Sequence, residues 1–172
     1  MASEPDSGAG GRVSWPPGYT LRPATVHDAA LIQTQRTAMF TEMGSDPAGL
    51  ARAHDAGVGW HRRALASGRY TGLLVEAGGD VVAGAGVLWN DFPPNADTTS
   101  LVRAYVLNVY VHPDHRGHAL ARQLVEAVLA ECRARGVSIV TLTASEAGRP
   151  TYERLGFVPQ AELRLVLPEG AS

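Results

Sequence analysis

Lysine is absent from this chain of 172 residues; all fifteen basic residues are arginines. That absence removes every lysine-based mechanism, and no GxxxxGK[ST] phosphate loop occurs. Cysteine is nearly absent too. Cys132 stands alone, which excludes an intramolecular disulfide framework and a cysteine-rich metal site. It falls inside an apolar-periodic helix, so it reads as a buried structural thiol. No stretch reaches the roughly 18 consecutive apolar residues of a membrane span. The opening MASEPDSGAGGRVSWPPG has no apolar core of signal-peptide length, so a cytoplasmic protein with no membrane partner is the expectation. Excess positive charge is missing as well: a formal net charge of -2 argues against a nucleic-acid partner, which needs a concentrated basic surface.

What remains is globular, with 45% hydrophobic and 19% charged residues. Residues 1–18 read as a disordered tail and 19–168 as one domain. YTLRPAT reads as a first strand. Thr25 or His27-Asp28 then caps a helix that Gly44 ends. SDPAGLARAHDAGVG reads as a loop or weak helix, and GWHRRALASG as a second short helix. From Tyr70 the period changes to two, giving a hairpin that turns near Gly78-Gly79-Asp80. FPPNADTTS is a loop. LVRAYVLNVYV is a long strand, and strict alternation would put Asn108 and Tyr110 on one face and Tyr105, Leu107 and Val109 on the other. A helix over 117–134, a strand VSIVTLTAS, a short helix over 147–155 and a last strand ELRLVL at 162–167 complete the order β-α-α-β-β-β-α-β-α-β. This predicts a single α/β (α+β) domain with a mixed, mostly antiparallel twisted sheet and helices on both faces.

HPDHRGHALAR, residues 112 to 122, sits where the long strand gives way to a helix. A helix start exposes amides without internal partners and favours an anion. Small residues at 117, 119 and 121 leave amides 117–122 open to a phosphate or pyrophosphate. A plain strand-to-helix connection has the same local pattern. His112, His115 and His118 are spaced by three, but two of them flank a proline turn and no acidic or cysteine ligand clusters beside them, so no metal is expected.

The stretch LNVYVHPDHRGHALARQLVEAVL resembles the central motif of the GCN5-related N-acetyltransferase (GNAT) superfamily. It reads as a strand, V-x-P-x-x-R-G, and then a helix after an (R/Q)-x-x-G-x-(G/A) signature. TYERLGFV resembles that family's aromatic-plus-GF motif, and LRPAT with Asp28-Ala29 resembles its opening strand and helix; together these cover roughly residues 19 to 167. The signature maps onto Arg116, Gly117, His118, Ala119, Leu120 and Ala121, so its central glycine is Ala119. Ser145 stands where many members carry asparagine.

The resemblance implies the acyl-CoA N-acyltransferase fold and acetyl-CoA as co-substrate. The acceptor would be an amine-bearing small molecule or a peptide N-terminus, and the family's frequent dimerisation implies a homodimer. It places the backbones of Val109, Tyr110 and Val111 along pantetheine, Arg116 to Arg122 around the pyrophosphate, and Ser145 as a polar cofactor contact. Tyr152 would protonate the departing thiolate; a phenol with a pKa of about 10 suits that transfer. Glu42, at the end of the first helix, is the candidate base or amine anchor. The rival implied by the Ala119 and Ser145 departures is a catalytically inactive acyl-CoA-binding regulatory module of the same fold.

Overall fold

The computed structural model describes residues 14–167. Its sheet has five strands in the order β1-β2-β3-β4-β5. These are β1 (Tyr19–Pro23), β2 (Tyr70–Ala77), β3 (Asp80–Asp91), β4 (Val102–Val111) and β5 (Val140–Leu142). The first three pairings are antiparallel and the β4–β5 pairing is parallel. The helices are α1 (Ala29–Glu42), α2 (Pro47–Ala66), α3 (Leu120–Ala134) and α4 (Arg149–Arg154).

Two apolar layers flank the sheet. On one face Leu120, Leu124, Val128 and Cys132 of α3 are buried against Ala83, Val87, Ala104 and Val106. Leu120, Leu124 and Val128 recur at a spacing of four, the stripe of an amphipathic helix. Cutting Leu124 to alanine would cost about 2–5 kcal/mol. On the other face Ile32 of α1 and Ala64 of α2 pack with Tyr70 and Leu74. β3 is buried on both sides from Val82 to Val87, which is why VVAGAGV is apolar without alternation.

Local chemistry fixes the element ends. Thr25 and Asp28 form a reciprocal capping box before α1. The Asp28 carboxylate also takes two hydrogen bonds of 2.9 Å from Arg22, which reaches Glu76 as well; β1, β2 and the start of α1 are thereby tied together. The Arg22 hydrogen bonds pull the Asp28 pKa down to about 2 against the desolvation that opposes them.

Four expectations are corrected. The loop and short helix expected over 45–68 are one helix of 20 residues, α2. Asp46 caps it by accepting from the Ala48 and Gly49 amides, and Pro47 suits its first turn. Gly57 inside it is a packing requirement, because a Cβ there would collide with the Gln33 amide of α1. The strand expected over VSIVTLTAS shrinks to Val140–Leu142. ELRLVL forms no strand: residues 157–167 are irregular, and Leu163, Leu165, Val166 and Leu167 are exposed. The helix expected from 117 begins at Leu120, after a 3₁₀ turn at Pro113–His115. Of the expected tail, residues 1–13 lie outside the described residues. Trp15 packs against the α3-side core, and Ser14 accepts a 2.6 Å hydrogen bond from Gln123. Cys132 is buried, and burial pushes its thiol pKa up.

Candidate active site

The sheet opens between its last two strands. β4 and β5 pair only over Ala104–Val106 and Val140–Leu142, and beyond that the chain after β5 departs into a coil. Tyr110 and Val111 keep their pairing to β3 on one edge, opposite Gly84 and Ala83, and Val109 falls in the register break just before them. On the edge that β5 has left, their backbone groups face a slot. The Tyr105 hydroxyl and Thr143 Oγ1 span its narrow end at 2.7 Å.

A bulge in β4 shapes this slot. The register to β3 slips between Gly84 and Gly86, and Asn108 takes φ +57°, the left-handed region. Strict alternation therefore fails. Leu107 and Asn108 both face the α1–α2 layer, whereas Val109 and Val111 pack into the α3-side core with Ala104 and Val106. Tyr110 sits near Glu42 of α1; desolvation pushes its phenol pKa up, with Glu42 adding to the rise. The expected pairing of Asn108 with Tyr110 survives; that of Leu107 with Val109 does not.

Asn108 is held on three sides. Its Oδ1 accepts from Arg36 Nη1 at 2.7 Å, and its Nδ2 donates to His61 Nε2 at 3.0 Å and to the Tyr70 hydroxyl at 3.1 Å. Because Asn108 donates to Nε2, the proton of His61 sits on Nδ1 and is given to the Gly57 carbonyl at 2.8 Å. Burial lowers the His61 pKa and pushes that of Tyr70 up to about 12. Gly86 completes the cage: any Cβ there would strike the Tyr70 hydroxyl. Nothing in the sequence pattern singled this cluster out. Its legible signal was asparagine inside an apolar strand, since asparagine is a poor strand former that tolerates the left-handed region.

At the mouth of the slot the turn into α3 presents its backbone. The amides of Gly117 to Arg122 make no hydrogen bond among the described residues, and Gln123 is the first to find a carbonyl, that of Ala119. Gly117 has φ +84° and Ala119 φ +60°. Arg116 braces the turn, its Nε donating to the Val111 carbonyl at 3.1 Å and its Nη2 to both Glu42 oxygens at 2.8 Å. Glu42 is thus an ion-pair partner linking α1 to the turn. It also borders an open depression of about 440 Å³ lined by Thr34, Thr37, Ala38, Thr41 and His54.

The comparisons with known proteins bear on this arrangement. Residues 26–157 match the model of the acetyltransferase (GNAT) family. A GCN5-related N-acetyltransferase from Ralstonia eutropha JMP134 is 35% identical, with a TM-score of 0.84 over 87% of this chain and 99% of that one. The chain belongs to the GNAT family. A predicted acetyltransferase with acetyl-CoA from Clostridium acetobutylicum shares the fold at 23% identity and a TM-score of 0.80, over 87% of this chain and 96% of that one. An aminoglycoside N-acetyltransferase, AAC(6′)-Iy, in complex with CoA shares it at 15% identity and a TM-score of 0.68, over 88% of this chain and 95% of that one. No curated protein matches by sequence.

On this GNAT scaffold the remaining candidates lie together past β5. Ser145 Oγ accepts from the Gly148 amide at 3.1 Å, capping the turn before α4. Gly148 packs between Ser145 and the Tyr152 ring. Tyr152 stacks edge-on to Phe157 at 6.0 Å, its hydroxyl has no hydrogen-bond partner among the described residues, and desolvation pushes its pKa up. Among the described residues no group of three or more histidine, cysteine or acidic side chains could hold a metal, and no helix is long and apolar enough to cross a membrane.

Proposed function

We propose that this GNAT chain is an acetyl-CoA-dependent N-acetyltransferase that moves acetyl directly to a primary amine of a small molecule or a peptide N-terminus. The observation that carries the reading is the run of free amides from Gly117 to Arg122 at the mouth of the β4–β5 slot. Free amides at a helix start are what a pyrophosphate needs. The exposed edge of Val109, Tyr110 and Val111 suits pantetheine, itself a short pseudo-peptide, and Ser145 is the polar residue assigned to the opposite wall. Bound acetyl-CoA supplies the activated acyl group.

The transfer breaks a thioester C–S bond and forms an amide C–N bond. One proton leaves the amine and one must reach the sulfur. Tyr152 is assigned the second of these proton transfers, because burial keeps its phenol protonated and its hydroxyl is not committed elsewhere. Glu42 is assigned to anchoring the incoming amine; its oxygens are shared with Arg116, so the proton departs through water. Cys132, the one thiol, is buried and does not serve a covalent acyl-enzyme route.

Calorimetric titration with acetyl-CoA, followed by CoA release against a panel of amines and peptides, tests this. Absence of binding at millimolar acetyl-CoA would overturn the whole reading. Tight binding with no acceptor across the panel would replace the enzyme by the acyl-CoA-binding regulatory module. We also infer a homodimer, supported by the exposed apolar side chains of Leu163, Leu165, Val166 and Leu167 and by β5 being an edge strand.

A further inference from the structure

Arg36 and Arg103 are both partly buried without a carboxylate partner among the described residues, and of the two it is Arg36 that reaches the β4 bulge at Asn108. It projects from α1 toward the β4 bulge, is only partly exposed, and pairs with no carboxylate among the described residues. The other charges nearby are already matched: Glu42 is committed to Arg116, and Asp46 stands 4.0 Å from Arg52 at the surface. Of the five N–H donors of a guanidinium, Arg36 spends one, on Asn108 Oδ1. Its plane lies over the Phe40 ring at 4.6 Å, and the phenols of Tyr70 and Tyr105 are its other polar neighbours. Burial lowers its pKa from the usual arginine value against the opposing Tyr70 and Tyr105 phenols, and no carboxylate among the described residues pairs with it to offset that desolvation. A half-buried guanidinium with a flat, preset fork and no counter-ion is suited to a carboxylate or phosphate from outside.

Its position says which molecule brings that anion. Asn108, the residue Arg36 holds, is the bulge immediately before Val109, and the Tyr105–Thr143 bridge closes the slot on the same face. Arg36 therefore lies on the α1 side of the point where the strand turns to the acyl group, away from the amides that suit the pyrophosphate.

Resting on the acetyl-transfer reading above, we propose that Arg36 determines acceptor specificity: the acetylated amine belongs to a small molecule that also carries a carboxylate or phosphate, gripped by the Arg36 guanidinium. Polyamines and other polycations are then poor acceptors.

Matched acceptors test this in the wild-type chain. Each pair shares one amine and differs in charge: an amino acid against its carboxamide, and phosphoethanolamine against ethanolamine. The expected result is a preference in kcat/KM for the anionic member of at least one pair, on the order of ten- to a hundredfold, as for a hydrogen bond to a charged group. The pair that shows it separates carboxylate from phosphate. Arg36→Met should collapse that ratio toward one, and Arg36→Lys should restore part of it. Acetate should inhibit competitively with the amine and not with acetyl-CoA, a measurement that needs no variant. Equal use of charged and neutral members by the wild type overturns the proposal and leaves the acetyltransferase reading standing. So does a loss in Arg36→Met that is proportional for both members, which would make Arg36 a support for Asn108. Acetyl-CoA binding with no turnover on any amine overturns both.

Discussion

Ala119 offers the sharpest test of the turn into α3. It sits at φ +60° and ψ +16°, directly before the first helical residue, in a conformation that glycine adopts freely. For an L-residue that region costs about 1–2 kcal/mol. Replacing alanine by glycine removes this strain and adds freedom to the unfolded chain, which takes back about 0.4–1 kcal/mol. Ala119→Gly should therefore stabilise the protein by about 0.5–1 kcal/mol net. For a chain of this length each kcal/mol moves the melting temperature by about 2–4 °C, so the expected rise is about 1–4 °C in a thermal melt. Ala130→Gly is the control: Ala130 is exposed in the middle of α3, where glycine costs about 1 kcal/mol and lowers the melting temperature. The same pair should be titrated with acetyl-CoA. Ala119→Gly removes a methyl beside the free amides, and its affinity should hold or improve. A fall in melting temperature for Ala119→Gly comparable to that of Ala130→Gly would refute the left-handed turn. A severe loss of affinity with raised stability would refute the pyrophosphate placement.

Three more outcomes follow from named groups. Tyr152→Phe keeps the ring against Phe157 and removes the proton donor, so turnover should drop at least about tenfold while acetyl-CoA affinity and melting temperature hold; unchanged turnover makes the tyrosine structural. His61 is buried neutral with its pKa below the unfolded value of 6.5, so the unfolded state binds more protons as pH falls beneath that value and stability declines. His61→Gln should melt with a flatter pH dependence below 6.5 than the wild type, and parallel curves would remove His61 from the balance. Light scattering should give twice the 18.2 kDa chain mass, and Leu163→Ser with Leu165→Ser should return it to one; a wild-type monomer ends the dimer reading.

The sequence by itself determined the layers and the order of most elements. Apolar alternation marks β4 and an apolar spacing of four marks α3, because the chain must hide one face of each, whereas β2 and β3 show as continuous apolar runs. Glycines at 44, 68, 78, 79 and 136 punctuate them with positive φ. The motif at 112–122 also lay open to reading, since amides at a helix start follow from chain order alone. Only the tertiary structure decided the rest. A bulge is a property of two strands in register, so Asn108 could not be seen to turn Leu107 and itself to one face. α2 became one helix because α1 packs against it at Gly57, outweighing the weak helix propensity of three internal glycines. ELRLVL has the alternation of a strand, but alternation without a neighbouring edge forms no ladder. Glu42 found Arg116 across 74 positions of chain, and Arg36 has no acid partner among the described residues. Charge pairing of that kind depends on which side chains the packed layers bring within a few ångströms, a distance that spacing along the chain does not encode.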